Sequence, residues 1–194
     1  MSFDLFVFVP FLPSDLTKQW EQSLPEFGLR CTFYPKYHPS TWRDCFAPVR
    51  VEVLPGSFPF ADAYGSAPLL TEISLDDMDV VRGEYTDIKT SALEDVPLRL
   101  HSALERATRC IHFHTAAGRI PLALRMQCFT AATLAVMTQS VLLDPQEGGY
   151  LAAQDAIEHA RQVADDYERY SSPDDWDLTH FTAWSQWDGE IPIE

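Results

Sequence analysis

The chain has 194 residues, of which 46% are hydrophobic and 22% are charged, a composition typical of a soluble globular protein. No apolar run approaches the roughly 18 residues of a membrane-spanning helix, so a membrane protein is excluded. The formal net charge of −15 disfavours partners that are themselves anionic, such as nucleic acid and acidic membrane surfaces.

The first third of the chain predicts a strand, a helix and two further strands. Residues 3–9 are almost wholly apolar and rich in Phe and Val, which is typical of a buried strand. Ser14 can cap a helix whose apolar residues recur at intervals of four, and Pro25 ends it. Residues 29–34 form the second predicted strand. The alternation of Val with charged residues over 49–53 predicts the third.

The middle of the chain predicts a loop, a short strand and an acidic excursion. Residues 54–68 combine prolines, glycines and aromatic residues without a period, which indicates a structured loop. Residues 69–75 predict a short strand. The carboxylates that follow, Asp76, Asp77 and Asp79, predict a solvent-exposed excursion.

The second half predicts alternating helices and strands. Residues 100–107 form an amphipathic helix, and residues 110–115 then switch to the period of two that is typical of a strand. Residues 122–137 are apolar or small on nearly every face, so this helix is expected at the centre of the protein. A short strand over 141–143 and a turn precede the last helix. The apolar stripe of that helix comprises Ala153, Ala156, Ile157, Ala160, Val163, Ala164 and Tyr167.

These elements predict an α+β fold, in which a mixed β-sheet is packed by about four helices. The expected order is approximately β-α-β-β-(β)-α-β-α-β-α, where the parentheses mark the short strand of residues 69–75. We expect a single domain over residues 1–170, followed by an acidic, tryptophan-rich extension over residues 171–194 that packs on it.

Negative charge is concentrated in two stretches of the chain. Residues 62–95 hold nine carboxylates against Arg82 and Lys89, and residues 165–194 hold nine against Arg169. These stretches contribute −7 and −8, which together equal the net charge of −15. They favour a cationic partner, although a solvated surface without a partner would have the same composition.

A predicted strand carries a candidate metal site. Its alternation sends Ile111 and Phe113 to one face and Cys110, His112 and His114 to the other. A thiolate and two imidazoles are zinc ligands in proteins. The alternative is that a helix covers this face and the histidines bond to backbone or carboxylate groups.

Arginines cluster along the sequence around the same strand and suggest an anion site at Arg109, Arg119 and Arg125. Arg119 precedes a predicted helix, where free backbone N–H groups and the helix dipole favour a phosphate or carboxylate. The alternative is that these arginines pair with the two acidic stretches across the fold.

The C-terminal extension combines large aromatic residues with carboxylates, a composition suited to binding a basic protein surface. The alternative is that its aromatic side chains seal the core and leave the carboxylates in solvent. The candidate partner-binding residues are Asp174, Asp175, Trp176, Asp177, Trp184 and Trp187.

Two functions of different classes follow from these features. The first is an acidic binding protein, for example an inhibitor or immunity-type protein that neutralises a basic partner. The second is an enzyme or ligand-binding domain that uses Cys110, His112, His114 and Arg119 for a metal or an anion. The chain has no GxSxG, Walker or GxGxxG motif, so no catalytic residue and no cofactor are predicted.

Cysteine usage and the first residues of the sequence predict a cytoplasmic location. The four cysteines show no CxxC pair, and free thiols are expected in a reducing compartment. Residues 1–9 lack the basic segment of a signal peptide, and the apolar run is too short for one. The sequence does not determine the oligomeric state.

Overall fold

A computed structural model describes residues 3–34, 45–79, 96–115, 121–147, 149–178 and 180. The strands are β1 (Phe3–Val9), β2 (Leu29–Phe33), β3 (Cys45–Val53), β4 (Leu69–Asp79), β5 (Arg109–Thr115), β6 (Val141–Asp144) and β7 (Gly149–Ala152). The α-helices are α1 (Leu16–Ser23), α2 (His101–Glu105), α3 (Pro121–Thr138) and α4 (Ala153–Tyr170). Short 3-10 helices occupy Leu24–Phe27, Ala61–Tyr64, Leu98–Leu100 and Pro173–Asp175.

The seven strands form one sheet in the order β2-β3-β4-β5-β1-β6-β7. Within the described residues, four helices pack with this sheet, so the predicted α+β class is confirmed. All the described strand pairings are antiparallel, which makes the prediction of a mixed sheet wrong. The element order also differs from the predicted one, because residues 149–152 form β7 instead of belonging to a turn before the last helix.

Helix α3 lies at the centre of the main core, as its composition predicts. Its side chains are buried on nearly every face, and it contacts α1 and α4 as well as the sheet. The hydroxyl groups of Thr130, Thr133 and Thr138 donate to carbonyl groups four residues earlier in the same helix, which satisfies their buried polar atoms. The indole of Trp20 donates to the carbonyl of Thr130 at 3.0 Å and so ties α1 to α3.

The two faces of the sheet are covered unequally. Leu5, Val7 and Val9 of β1 point into the main core beneath α3, whereas Phe6 and Phe8 point to the opposite face. On that opposite face, a smaller cluster forms with the 3-10 helix Leu98–Leu100 and the single-turn helix α2. The alternation of side chains along β1, and the alternation predicted for β5, therefore separate two hydrophobic clusters of different size.

Strand β4 extends through residues that the sequence predicts as an exposed excursion. The backbone of Asp76, Asp77 and Asp79 pairs with β5, and the Asp77 side chain is only 4% exposed. The excursion prediction is therefore wrong at these positions. The reason is charge pairing, because Arg109 of β5 offers a bidentate partner that allows a carboxylate to be buried.

The buried stripe of α4 departs from the predicted one in its last turn. Tyr167 is 43% exposed, whereas Glu168 is completely buried. Hydrophobicity alone predicts that Tyr167 is buried. Glu168 is buried instead because it forms an ion pair with the buried Arg125 of α3.

Candidate functional site

Strand β5 places Cys110, His112 and His114 on one face, as predicted, and this face lies opposite the main core. Cys110 is fully buried among the apolar side chains of the smaller cluster. Burial raises the pKa of its thiol, and the nearby charge of Asp77 raises it further. Since the thiolate is the form that binds zinc, this environment disfavours Cys110 as a ligand.

His112 lies between carboxylates of both neighbouring strands. Its Nε2 atom is 2.9 Å from Oδ1 of Asp4 on β1, and its Nδ1 atom is 3.8 Å from Oδ2 of Asp76 on β4. Its ring stacks on Phe6 at a centroid distance of 4.4 Å and lies 5.2 Å from the ring of His114. No group of three or more metal-ligating side chains occurs within the part of the chain that the structure describes. This geometry matches the alternative in which the histidine bonds to carboxylates.

Two of the three arginines of the predicted anion site, Arg109 and Arg125, lie among the described residues. Arg109 forms a bidentate pair with Asp77, with 2.7 Å between its Nε atom and Oδ1. Arg125 binds Asp165 and Glu168 on α4. Arg119 lies outside the described residues. The two described arginines therefore bind carboxylates of this chain, and all three of these carboxylates come from the predicted acidic stretches.

Arg125 is the centre of a buried polar network between α3 and α4. Its Nε and Nη2 atoms each donate to Glu168 at 2.7 Å, and Nη2 also donates to Asp165 at 2.5 Å. The guanidinium lies 3.8 Å from the ring centroid of Phe58, a cation–π geometry. Burial alone would lower the pKa of Arg125, but the hydrogen bonds and charges of Glu168 and Asp165 outweigh it and raise that pKa.

Tyr64 links this network to the start of the C-terminal extension. Its hydroxyl donates to Oε1 of Glu168 at 2.7 Å, and burial together with the Glu168 charge raises the pKa of the phenol. Trp176 packs on the Tyr64 ring at a centroid distance of 4.7 Å and donates from Nε1 to Oγ of Ser171. The first aromatic residue of the extension is therefore anchored to the domain.

The carboxylates beside this anchored tryptophan point to solvent. Asp174, Asp175 and Asp177 are all exposed. Trp184 and Trp187, the other predicted partner-binding residues, lie outside the described residues. Within residues 173–178, an aromatic side chain faces inward while three carboxylates face outward.

A cleft of about 590 Å³ opens on the other side of α4, between this helix, the β6–β7 turn and the start of β1. Its apolar wall includes Phe3, Leu124 and Leu151. Tyr167 and Tyr170 stand at its border, and Tyr170 is 86% exposed. The polar residues of the cleft are Gln146, Glu147, His159, Gln162 and Asp166. None of the described residues that line the cleft is Lys or Arg.

A buried carboxylate holds the histidine of this cleft. Oδ2 of Asp144 lies 2.8 Å from Nε2 of His159, and the Asp144 side chain is completely buried. The backbone N–H groups of Gln146 and Glu147 donate to the other carboxylate oxygen, at 2.9 and 3.1 Å. An imidazole oriented by a carboxylate can bind a ligand or transfer a proton at the wall of a cleft.

The residues of this cleft carry little signal in the sequence. Asp144 precedes the sequence Pro-Gln-Glu-Gly-Gly, which indicates a turn and not a binding site. His159 lies outside the apolar stripe of its helix, so the stripe does not single it out. The two residues are 15 positions apart, and β7 between them was not predicted. The one sequence signal that indicates the cleft is the Gly148-Gly149 pair, which is typical of a β-hairpin. A hairpin there predicts that the chain returns along β6 and places the start of α4 near Asp144.

No protein-family model, curated protein or solved structure matches the chain. No helix among the described residues is long and apolar enough to cross a membrane.

Proposed function

We propose that this chain is an intracellular, acidic binding protein that recognises a basic protein partner, in the manner of an inhibitor or immunity-type protein. The observation that carries the proposal is the distribution of paired and unpaired charge. Seven described arginines form ion pairs with carboxylates of the same chain, which leaves the acidic excess on other side chains. Asp174, Asp175 and Asp177 contribute to that excess at an exposed position.

An acidic surface of this kind is electrostatically complementary to a basic protein. A cationic protein approaching a chain of net charge −15 is attracted from a distance, and this steering raises association rates at low ionic strength. The anchoring of Trp176 on Tyr64 supports the proposal further, because it fixes the position of the neighbouring carboxylates on the domain. A fixed charge loses less entropy on binding than a charge on an unanchored segment.

The intracellular part of the proposal rests on the thiols. Cys31, Cys110 and Cys128 are free and buried. A reducing compartment favours this state of the thiols. The acidic charge separately disfavours a nucleic-acid or membrane partner.

The alternative function, an enzyme or ligand-binding domain at Cys110, His112, His114 and Arg119, has less support. Cys110 is buried and its pKa is raised, and His112 is bonded to Asp4. The exposed fraction of the His112 side chain is 22%, so a ligand would have only limited access to the ring. Elemental analysis of the purified protein for stoichiometric zinc tests this alternative directly.

A capture experiment tests the binding proposal. The full chain is immobilised, native lysate is passed over it at low ionic strength, and the retained proteins are identified by mass spectrometry. The expected result is a basic protein that is released by salt and that binds again when both proteins are purified. A purified partner whose binding is insensitive to salt would contradict the proposal.

Charge variants make this experiment specific to the exposed carboxylates. Neutralising Asp174, Asp175 and Asp177 to Asn should weaken the purified complex. The matched control is the neutralisation of Glu158 on α4, whose carboxylate pairs with Arg161 and is 75% exposed. Equal weakening by the control would remove these three residues from the proposed surface.

A further inference from the structure

The cleft beside α4 combines three properties that together select one kind of ligand. Its wall includes apolar side chains, its border carries two exposed tyrosines, and its acidic side chains are those of Glu147 and Asp166, with the imidazole of His159 beside them. The His159–Asp144 pair adds no net positive charge, whichever form the imidazole takes. A group that is both cationic and partly apolar complements all three properties.

We propose that this cleft is a subsite for an arginine side chain of a protein or peptide ligand. The planar guanidinium can stack on a tyrosine ring, and its five N–H donors match carboxylate and amide acceptors better than an ammonium group does. The apolar wall formed by Phe3, Leu124 and Leu151 suits the methylene stem of the side chain. The cleft is larger than one side chain, so residues flanking the arginine also fit.

The cleft also contains a preoriented imidazole, whose neutral form offers one acceptor nitrogen. Because carboxylate Oδ2 of Asp144 faces Nε2 of His159, the proton of a neutral ring lies on Nε2, and Nδ1 becomes a hydrogen-bond acceptor. Asp144 is fixed in turn by two backbone N–H groups of the β6–β7 turn. The acceptor is thus held in place before a ligand arrives, which reduces the entropy cost of binding.

Asp166 is shared with a cation of this chain. Its Oδ1 atom lies 2.7 Å from Nη1 of Arg169, and both side chains are largely exposed. Exposed pairs of this kind contribute about 0–1 kcal/mol, so a ligand guanidinium can compete for the carboxylate. Removing Arg169 should therefore strengthen the subsite.

The inference rests on the proposed function, since it assigns a site to an arginine of the basic partner. Its test uses a defined probe, a short glycine-flanked arginine peptide, titrated into the isotopically labelled full chain and followed by NMR. A peptide with citrulline in place of arginine keeps the shape and removes the charge, and a lysine peptide keeps the charge and removes the planar fork. The expected result is saturable perturbation of amides in α4 and the β6–β7 turn by the arginine peptide, with weaker binding of the other two.

Matched variants locate the binding. Glu147→Gln and Tyr170→Ala should each lower the affinity for the arginine peptide by about threefold or more. Glu158→Gln, which lies on α4 but outside the cleft, should leave this affinity unchanged. Arg169→Gln should tighten binding more than Arg161→Gln, because Arg161 pairs with Glu158 and not with a cleft residue.

Several outcomes would overturn the inference. They are perturbations that map away from the cleft, equal effects of Glu147→Gln and Glu158→Gln, or citrulline or lysine peptides that bind as tightly as the arginine peptide. Any of these leaves the proposed function standing if a purified basic partner still binds in a salt-dependent way. A partner complex that is insensitive to salt would instead contradict the proposed function, whatever the peptide result.

Discussion

Arg125 of α3 and Glu168 of α4 form a bidentate ion pair in which the two side chains are 1% and 0% exposed. The pair joins the central helix to the last helix, and Asp165 and Tyr64 complete its hydrogen bonds. Taking both ions out of water costs several kcal/mol, so the pair depends on complete hydrogen bonding. It fixes the orientation of α4, and α4 in turn forms one wall of the cleft.

Breaking this pair from one side should be strongly destabilising. Glu168→Gln leaves the buried guanidinium with Asp165 as its one remaining charged partner among the described residues, and we expect a loss of about 3–5 kcal/mol in the free energy of unfolding. Chemical denaturation monitored by circular dichroism measures this loss. Glu158→Gln, at an exposed position of the same helix, should change the free energy by less than about 0.5 kcal/mol.

Replacing both partners tests the physical reason. In the double variant Arg125→Met, Glu168→Leu, no unpaired charge of this pair remains buried, so the double variant should be more stable than Glu168→Gln. The single variants Arg125→Met and Glu168→Leu complete the comparison. A double variant that loses as much stability as the sum of these two single variants would mean that packing, and not charge pairing, determines the stability here.

The extension that follows α4 should separate into an anchoring residue and solvent-exposed charges. Trp176→Ala removes the contact with Tyr64 and the hydrogen bond to Ser171, and we expect it to lower the free energy of unfolding by about 1–3 kcal/mol. Asp177→Asn should have almost no effect on stability because Asp177 is exposed. Thermal denaturation of the two variants compares them directly, and equal effects would show that Trp176 is not an anchor.

The buried thiols predict how stability depends on alkaline pH. Burial raises the pKa values of Cys31, Cys110 and Cys128 above their ordinary value of 9.0. An acid whose pKa is higher in the folded chain holds its proton more strongly there, so stability is full below about pH 9 and falls as the pH rises beyond it. Each thiol contributes a loss of about 1.4 kcal/mol per pH unit above that value.

Removing one thiol checks this dependence. Cys128→Ala should lower the alkaline slope of the free energy of unfolding relative to the unmodified chain, although it also costs some packing. In a Cys45→Ser background, the three buried thiols should react with an alkylating reagent only after the chain is unfolded. Rapid labelling of the native chain would contradict their burial.

The cleft histidine should depend on the carboxylate that holds it. The buried carboxylate of Asp144 accepts from two backbone N–H groups and binds His159. Asp144→Asn keeps the size of this side chain but replaces the carboxylate with a neutral amide. We expect a loss of about 1–3 kcal/mol in the free energy of unfolding. Combining Asp144→Asn with His159→Gln should be less than additive, because both changes remove the same bond. Full additivity in a double-mutant cycle would argue that the two residues are not coupled.

The parts of the fold that follow from local patterns were predictable from the sequence. The apolar run of β1 and the all-round apolar character of α3 are each determined by burial, so their positions match the structure. The positions that disagree involve pairing between distant residues. Asp77 is buried because Arg109 lies on the neighbouring strand, and Glu168 replaces Tyr167 in the core because Arg125 lies on the neighbouring helix.

The same reason explains which parts of the candidate site could be predicted. The placement of His112 opposite Ile111 follows from the alternation along one strand, and the structure shows it. The cleft depends on a hairpin that brings Asp144 next to His159, and neither residue is distinctive alone. Charges that are segregated along the sequence pair across the fold, so the net charge of a segment does not show which of its carboxylates are exposed.

The salt dependence of partner binding tests the central claim most directly. The affinity of the purified complex between this chain and its basic partner is measured over a range of ionic strengths, for the unmodified chain and for the variant with Asp174, Asp175 and Asp177 changed to Asn. The proposal predicts that affinity falls as salt rises and that the variant shows both a lower affinity and a smaller dependence on salt. An affinity that does not change with salt, or a variant with the same salt dependence as the unmodified chain, would contradict it.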